Sequence, residues 1–307
     1  MKQLQIGIII KQRRIELGLT QEELCEGICS PPTICRIEKG KQTPSISKLN
    51  ALLSRLGLPN EKYYAVMSSE DVQIEELKLK ITSCNMRRDF KEGLSYLAHL
   101  QKLAEKDDIL TQQFILRSKA ILGTFENNVY VPYPLEQKLQ LLFHALQLTI
   151  PNFDPGDILL YRYTLDELKI INQIGVAYGD HGYLQEATDI FYQLIKYFKR
   201  KCPISNEFIP TIILIHYNYA NYLLEMNRYI ESYDIAYTAW DYSIQWGRAT
   251  YLGSILYILA ETSYHLKEID KSKQFYIQSY YVFQSMKNQH DADIIKENIY
   301  EYFQINL

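Results

Sequence analysis

The sequence predicts an all-α protein, with an N-terminal helix-turn-helix followed by a long array of helix pairs. Three observations carry this expectation. Glycine and proline are scarce, 13 and 10 among 307 residues, and alternating β-branched runs are few, which favours helix over sheet. A capping box and two further helix-start signals punctuate the N-terminal stretch. Over the remainder, small residues recur at the spacing of stacked helix pairs.

At 307 residues the chain exceeds one ordinary domain, and two are expected, residues 1–66 and residues 67–307. The net charge of −3 divides unevenly between them, ten Lys and Arg against six Asp and Glu in the first and 23 against 30 in the second. A small basic unit joined to a larger acidic one suits a polyanion at one end only. No stretch approaches the ~18 apolar residues of a membrane span, and Ile6 to Ile10 is too short for a secretion signal. The expected location is the cytoplasm, with no membrane partner. Cys25, Cys29, Cys35, Cys84 and Cys202 suggest no disulfide framework, in keeping with a reducing compartment.

A first helix is expected over about Leu4 to Leu17, with Leu4, Ile8, the stem of Lys11 and Ile15 on one face, Arg13 and Arg14 beside it, and Gly18 as its stop. Thr20-Gln21-Glu22-Glu23 spells a capping box, and the short helix behind it carries Leu24 and Ile28. After a tight turn at Cys29-Ser30, Ser30 caps a third helix and Pro31 takes its first position, where no N–H is needed. That helix is expected to reach Lys39 and stop at Gly40. Pro44-Ser45 opens a fourth, with Ile46, Leu49, Leu52, Leu53 and Leu56 as its core face and Gly57 at its end. Two short helices across a tight turn are the core of a helix-turn-helix. Cys25, Cys29 and Cys35 lack the paired spacing and the histidines of a metal site. They are read as packing residues, and no metal or cofactor is expected.

A polar connector is expected near Tyr63 to Asp71, with Ser69 capping the next helix. The clearest repeat beyond it is IINQIGVAYGDHGYLQEATDIFYQLI, in which Gly175 and Tyr178, then Ala187 and Phe191, match the tetratricopeptide consensus. Small Gly175 and Ala187 allow close helix packing, and the aromatic rings fill the gaps around them. Sliding the register forward aligns Ala220, Leu223, Ser232, Ala236 and Ala239, then Ala260, Ser263, Ser272, Tyr276 and Ser279. The steps from Ala187 to Ser232 to Ser272 exceed the ~34 residues of the plain repeat, so longer helices or loops are expected. A weaker copy carries Cys84, Gly93 and Leu97, and residues 109–150 form a degenerate pair. The fold class is therefore a helix-turn-helix followed by a right-handed superhelical array of tetratricopeptide-like helix pairs, whose concave face offers contact surface rather than a catalytic cleft.

On that register the inward positions are Lys169, Asn172, Val176 and Asp180, then Tyr217, Asn221 and Glu225 with Asn218 adjacent. Ser254, Tyr257, Glu261, Tyr264 and His265 follow, and the weaker repeats contribute Lys78, Asn85 and Arg117. Amides donate and accept at once, which suits an extended peptide backbone. Tyrosine adds apolar area with a polar tip, and Lys or Arg can meet a carboxylate. With 26 tyrosines in the chain most must be packing residues, and an interhelix hydrogen bond is the other reading of Asn172 and Asn218.

The run LGLTQEELCEGICSPPTICRIEKGKQTPS closely resembles the Cro/C1-type DNA-binding domain over about residues 1–60. That resemblance implies that the second helix of the pair enters the major groove of double-stranded DNA. It makes Gln21 a phosphate or base contact and places Ser30, Pro31, Pro32 and Thr33 at the groove-facing end. Arg36 becomes the best direct reader of bases, with a phosphate contact or a plain surface charge as the alternatives, and Lys39, Lys41 and Thr43 hold phosphates. Arg14 and Glu38 occupy the positions of an internal salt bridge. Pro31-Pro32 departs from the many relatives that carry hydrogen-bonding side chains there, so readout is left to Arg36, Thr33 and apolar contact with thymine methyls.

The two-part layout resembles the PlcR/Rgg (RRNPP) group of peptide-responsive quorum-sensing regulators of Gram-positive bacteria. The runs AYGDHGYLQEATDIFYQLI and HYNYANYLLEMNRYIESYDIA, with Asn172 and Asn218 matching asparagines of that group, carry the likeness. It implies a homodimeric transcriptional regulator in which a short imported signalling peptide binds the concave face and alters DNA binding. A repeat-based protein-interaction adaptor and a ligand-independent repressor are the alternatives. An enzyme is not expected, since the chain holds no G-x-x-x-x-G-K-[ST], H-E-x-x-H or G-x-S-x-G motif and its six histidines are scattered.

Overall fold

The structure is a computed structural model that describes residues 2–59, 69–127, 129–202 and 204–306. Among these, fifteen α-helices and one two-stranded hairpin form, arranged in two compact units, Met1–Ala177 and Tyr178–Leu307.

The first unit opens with α1 (Lys2–Glu16), α2 (Gln21–Cys25), α3 (Pro31–Glu38) and α4 (Ile46–Arg55). The capping box forms in full, with the Glu23 amide donating to Thr20 Oγ1 at 3.1 Å and the Thr20 amide donating to Glu23 Oε2 at 2.7 Å. Ser30 stands at the N-cap of α3 without a side-chain cap bond, its hydroxyl instead 2.9 Å from that of Thr33. Ile10, Leu24, Ile28, Ile34, Ile37, Leu49, Leu52, Leu53 and Leu56 close into one core.

Two details differ from expectation. Ile28 is buried, but it lies in the turn beyond the end of α2. Of the expected face of α1, Ile8 and Ile15 are 50% and 58% exposed, while Ile6 and Ile10 pack inward; the Leu4 side chain lies outside the described residues. The rotation of α1 is set by contacts that periodicity does not reveal. Gly7 lies against the Ile37 carbonyl, and Arg14 reaches Glu38.

The same unit continues with α5 (Ser69–Met86), α6 (Phe90–Leu103), α7 (Ile109–Leu122) and α8 (Leu135–Gln147), and ends within α9 (Leu165–Gly179). Most of the expected connector lies outside the described residues, and Ser69 and Asp71 already belong to α5. The weak repeat is real packing, since a Cβ on Gly93 would meet Leu122 and Cys84. Leu77, Ile81, Leu97, Leu100, Phe114, Ile115 and Leu122 form the core of these helices. An unforeseen antiparallel hairpin, β1 (Thr124–Glu126) with β2 (Val129–Val131), joins α7 to α8. Its Tyr130 ring stacks on Phe90 at 4.3 Å, so a short V-Y-V run gains a partner that no local pattern announces.

The second unit holds α10 (Leu184–Lys201), α11 (Ile209–Glu225), α12 (Tyr229–Gln245), α13 (Leu252–His265), α14 (Ile269–Ser285) and α15 (Gln289–Phe303). The aligned positions Ala220, Leu223, Ser232, Ala236, Ala239, Ala260, Ser263, Ser272, Tyr276 and Ser279 are all fully buried. Two of them explain how serine serves at a small-residue position. Ser232 donates to the Ala220 carbonyl at 2.7 Å, and Ser272 donates to the Ala260 carbonyl at 2.9 Å. Each hydroxyl is satisfied across the helix pair at the point of closest approach. The step from Ala187 to Ser232 spans most of the 18-residue α10, the connector of residues 202–208 and the 17-residue α11, and the step from Ser232 to Ser272 spans most of the 17-residue α12 and all of α13, which accounts for the long repeat steps.

His216 is buried in α11, donating from Nδ1 to the Ile212 carbonyl at 2.8 Å and packed edge-on against Tyr242. Burial lowers its imidazole pKa to about 4. The folded value thus lies below the unfolded one of about 6.5. The stability held by the neutral ring is complete above pH ~6.5 and is lost as pH falls toward about 4. Thermal melts between pH 7 and pH 4 are expected to show His216→Gln losing roughly 2–3 kcal/mol less than the parent chain. Parallel curves for the two proteins would contradict a buried neutral imidazole.

Candidate functional site

The helix-turn-helix presents a polar and basic surface around α3. Ser30, Pro31, Pro32, Arg36, Lys39, Lys41 and Thr43 are exposed, and Thr33 is half-buried. Arg36 is held by neighbours on its own side, with Nε donating to Gln42 Oε1 at 2.9 Å and Nη2 to Thr33 Oγ1 at 3.4 Å. These contacts extend the guanidinium along the surface without burying it.

Behind that surface, α3 is pinned by a charge pair. Arg14 grips Glu38 with two hydrogen bonds, 2.6 and 3.0 Å, and donates a third to the Leu19 carbonyl at 2.8 Å. The hydrogen bonds to Glu38 lead in raising the pKa of the Arg14 guanidinium, against the desolvation that would lower it. The Gln21 amide donates to the same carboxylate at 2.7 Å. Gln21 is therefore engaged with the support of α3, and its donor faces Glu38. The Arg14–Glu38 pairing was legible in the sequence; the third member was not.

A second polar cluster joins the helix-turn-helix to α7, α8 and α9, and sequence reading missed it entirely. Arg55, at the end of α4, is 5% exposed. Its Nη1 donates to the carbonyls of Leu24 and Glu26 at 3.1 and 2.6 Å, capping the end of α2. Its Nη2 lies 3.5 Å from Oε2 of Glu167, which is wholly buried. Glu167 also accepts from the Thr149 hydroxyl at 2.7 Å and from the Thr164 amide at 2.6 Å. Gln113 donates to Thr149 Oγ1 and to the Ala145 carbonyl, both at 2.9 Å. Around this cluster the Leu165 amide donates to Ser54 Oγ at 2.8 Å, and Ser47 donates to Asp108 Oδ2 at 2.8 Å. Gly27 completes the joint. It holds φ +68°, and a Cβ there would strike Thr149.

The candidate ligand residues fall into two groups, one in each unit. In the first, Lys78 and Lys169 line one cleft of about 250 Å³ together with Glu75, Asp166 and Phe114. Asn85 and Arg117 line an adjoining depression, and Thr82 belongs to both. Lys78 pairs with Glu75 at 2.9 Å and Lys169 with Asp166 at 3.3 Å. Asn172, further along α9, is buried at 1% exposure rather than open.

In the second unit, Tyr217 stacks on Tyr251 at 5.5 Å, Asn218 is half-buried, and Asn221 donates to Glu225 at 2.8 Å. Glu261 is buried and its carboxylate accepts from the Tyr276 hydroxyl. Tyr257 lies beside Tyr276, and its pKa is raised, chiefly by burial and then by Glu261. Tyr264 stacks on Tyr302 at 4.4 Å. These last three residues thus take part in packing α13 against its neighbours.

Among the described residues, no helix is long and apolar enough to cross a membrane, and no cluster of His, Cys, Asp and Glu has the arrangement of a metal site. The five cysteines are free.

Fold and surface together define a helix-turn-helix protein that carries tetratricopeptide-like helix pairs, and residues 10–59 match the helix-turn-helix family. No curated protein sequence matches the chain. Among solved structures the chain is similar to PlcR of Bacillus thuringiensis in complex with the peptide PapR7 and DNA. The TM-score is 0.62 at 21% identity, over 95% of this chain and 99% of that one. PlcR in its apo form gives 0.61 at 21% identity, over 96% and 99%. The apo competence regulator ComR from Streptococcus vestibularis gives 0.53 at 14% identity, over 97% of each chain.

Proposed function

We propose that this chain is a sequence-specific DNA-binding transcriptional regulator controlled by a short signalling peptide. Residues 1–66 form its DNA-binding domain, and residues 67–307 its peptide-sensing and dimerising domain. It acts as a cytoplasmic homodimer without enzymatic activity. The observation that carries the reading is the α3 surface, with Arg36 and the 39–43 basic segment exposed over a buried Arg14–Glu38 support. The resemblance in fold to PlcR, whose structure holds a peptide and DNA, supports the division of labour. Control follows by linkage, because a peptide that prefers the DNA-competent arrangement shifts the population toward it.

Duplexes selected from a random library by the full-length chain provide the test. Arg36→Ala is expected to weaken binding to the selected duplex by about 10- to 100-fold, since a bidentate base contact is worth ~1–3 kcal/mol, and to weaken binding to an unrelated duplex far less. An equal loss on both would assign Arg36 to phosphate. Failure to retain any duplex at low salt would overturn the regulator reading in favour of an adaptor.

A further inference from the structure

The exposed face of α3 receives a polar contact from outside the helix. Gly40 ends α3 at φ +66°, and the Lys41 amide donates back to the Arg36 carbonyl at 2.8 Å. This left-handed close of the helix folds the chain over its own last turn and sets Gln42 beside Arg36. Arg36 Nε then donates to Gln42 Oε1 at 2.9 Å. A guanidinium nitrogen can only donate, so the Gln42 amide must present its oxygen to Arg36 and turn its NH2 away. The bond also commits one edge of the planar fork. Nε shares that edge with Nη2, which reaches Thr33 Oγ1 at 3.4 Å. The Nη1–Nη2 edge is the one left for a base. Arg36 and Gln42 are both exposed, so the contact orders a side chain rather than closing a core. An arginine fixed in advance loses less rotamer freedom when it meets its target. Pro31 and Pro32 bring no side-chain donor to the same helix, which concentrates readout on Arg36.

We propose that Gln42 is a specificity-determining positioning residue, which holds Arg36 so that its Nη1–Nη2 edge meets O6 and N7 of a guanine. The working atom is the Gln42 amide oxygen, through its bond to Arg36 Nε. Without that acceptor the guanidinium swings among its rotamers and turns its Nε edge to phosphates as readily as to a base. Gln42 therefore sets how strongly one guanine is preferred, and not how tightly DNA is held in general. This inference rests on the DNA-binding reading above, with Arg36 as a reader of bases.

The test uses the full-length chain and the duplex it selects from a random library. The G·C pair read by Arg36 is the one whose preference Arg36→Ala erases. Affinities are then measured for the selected duplex, for the same duplex with that pair changed to A·T, and for an unrelated duplex. Gln42→Met, nearly equal in size but without an acceptor, is expected to lower the G·C preference by about three- to tenfold, the scale of one modest hydrogen bond. Its affinity for the unrelated duplex, its salt dependence and its melting temperature are expected to match the parent. Gln42→Glu keeps the acceptor, so it is expected to retain the G·C preference while binding every duplex more weakly, because a carboxylate then stands near phosphates. A loss of equal size on all three duplexes for Gln42→Met would make Gln42 a backbone contact and overturn the positioning role. If Arg36→Ala erased no base preference, the positioning role would fall with the reader role, and the regulator reading would stand. A library that yields no retained duplex at low salt would sink both.

Discussion

Replacing Glu167 with alanine is expected to destabilise the Met1–Ala177 unit by about 3–5 kcal/mol, the scale of breaking a buried ion pair from one side. The size follows from what is left behind. Arg55, 5% exposed, keeps its carbonyl partners on α2 but loses the counter-charge that permits its burial. Thr149 loses its 2.7 Å acceptor and keeps only the Leu146 carbonyl at 3.3 Å, and the Thr164 amide loses the carboxylate of a reciprocal capping box. The double variant Arg55→Met, Glu167→Leu is expected to recover only the part of the loss that comes from the uncompensated Arg55 charge, because the Thr164 amide still lacks the Glu167 carboxylate and the Leu24 and Glu26 carbonyls lose their donor. Denaturant unfolding of the full chain measures both. A loss below ~1 kcal/mol for the single variant, the range of a surface pair, would show that the joint is hydrated and open. A functional consequence separates this joint from ordinary core. The cluster connects α4 and the α2 end to α7, α8 and α9, so the single variant is expected to increase amide hydrogen exchange in α4 before the repeat helices themselves open.

The contrast between the two polar supports shows what a sequence can and cannot reveal. Arg14–Glu38 was legible because its members sit inside a motif whose order and spacing are distinctive. Arg55–Glu167 was not, because each residue has a sufficient local explanation. Arg55 looks like a cation suited to the end of α4, and Glu167 looks like the third position of the T-L-D-E capping box that opens α9. Nothing in either local role predicts that residues 112 apart in the chain share one buried site. The repeat core was legible for the opposite reason. Ala220, Ser232, Ala260 and Ser272 repeat a size constraint imposed by helix packing, so periodicity alone finds them. The inward-facing residues were only partly legible. A register identifies which face a side chain occupies, but Glu261 shows that its partner can lie within the packed helices, since Tyr276 takes up the carboxylate.

Gly7→Ala is expected to destabilise the helix-turn-helix by about 3 kcal/mol, the upper end of overpacking costs, although intrinsic helix propensity favours alanine by ~1 kcal/mol at a helix interior. The two effects oppose, and the close approach decides the sign. A Cβ at Gly7 would collide with the Ile37 carbonyl oxygen and press on that of Glu38. Neither can retreat cheaply. Ile37 is buried in the core, and Glu38 is held by Arg14 and Gln21. Relief requires α1 to lift from α3, which stretches the 2.6 Å Arg14–Glu38 bond and tilts the helix that presents Arg36. Binding to a selected duplex is therefore expected to fall more steeply than binding to unrelated DNA. The more tolerant Gly18→Ala serves as the control, because a Cβ at Gly18 meets nothing within 4 Å and only the strain of φ +66° remains. If Gly7→Ala instead raised the melting temperature, α1 would have to pack on α3 more loosely than the Ile37 contact requires, and the fixed presentation of Arg36 would lose its physical basis.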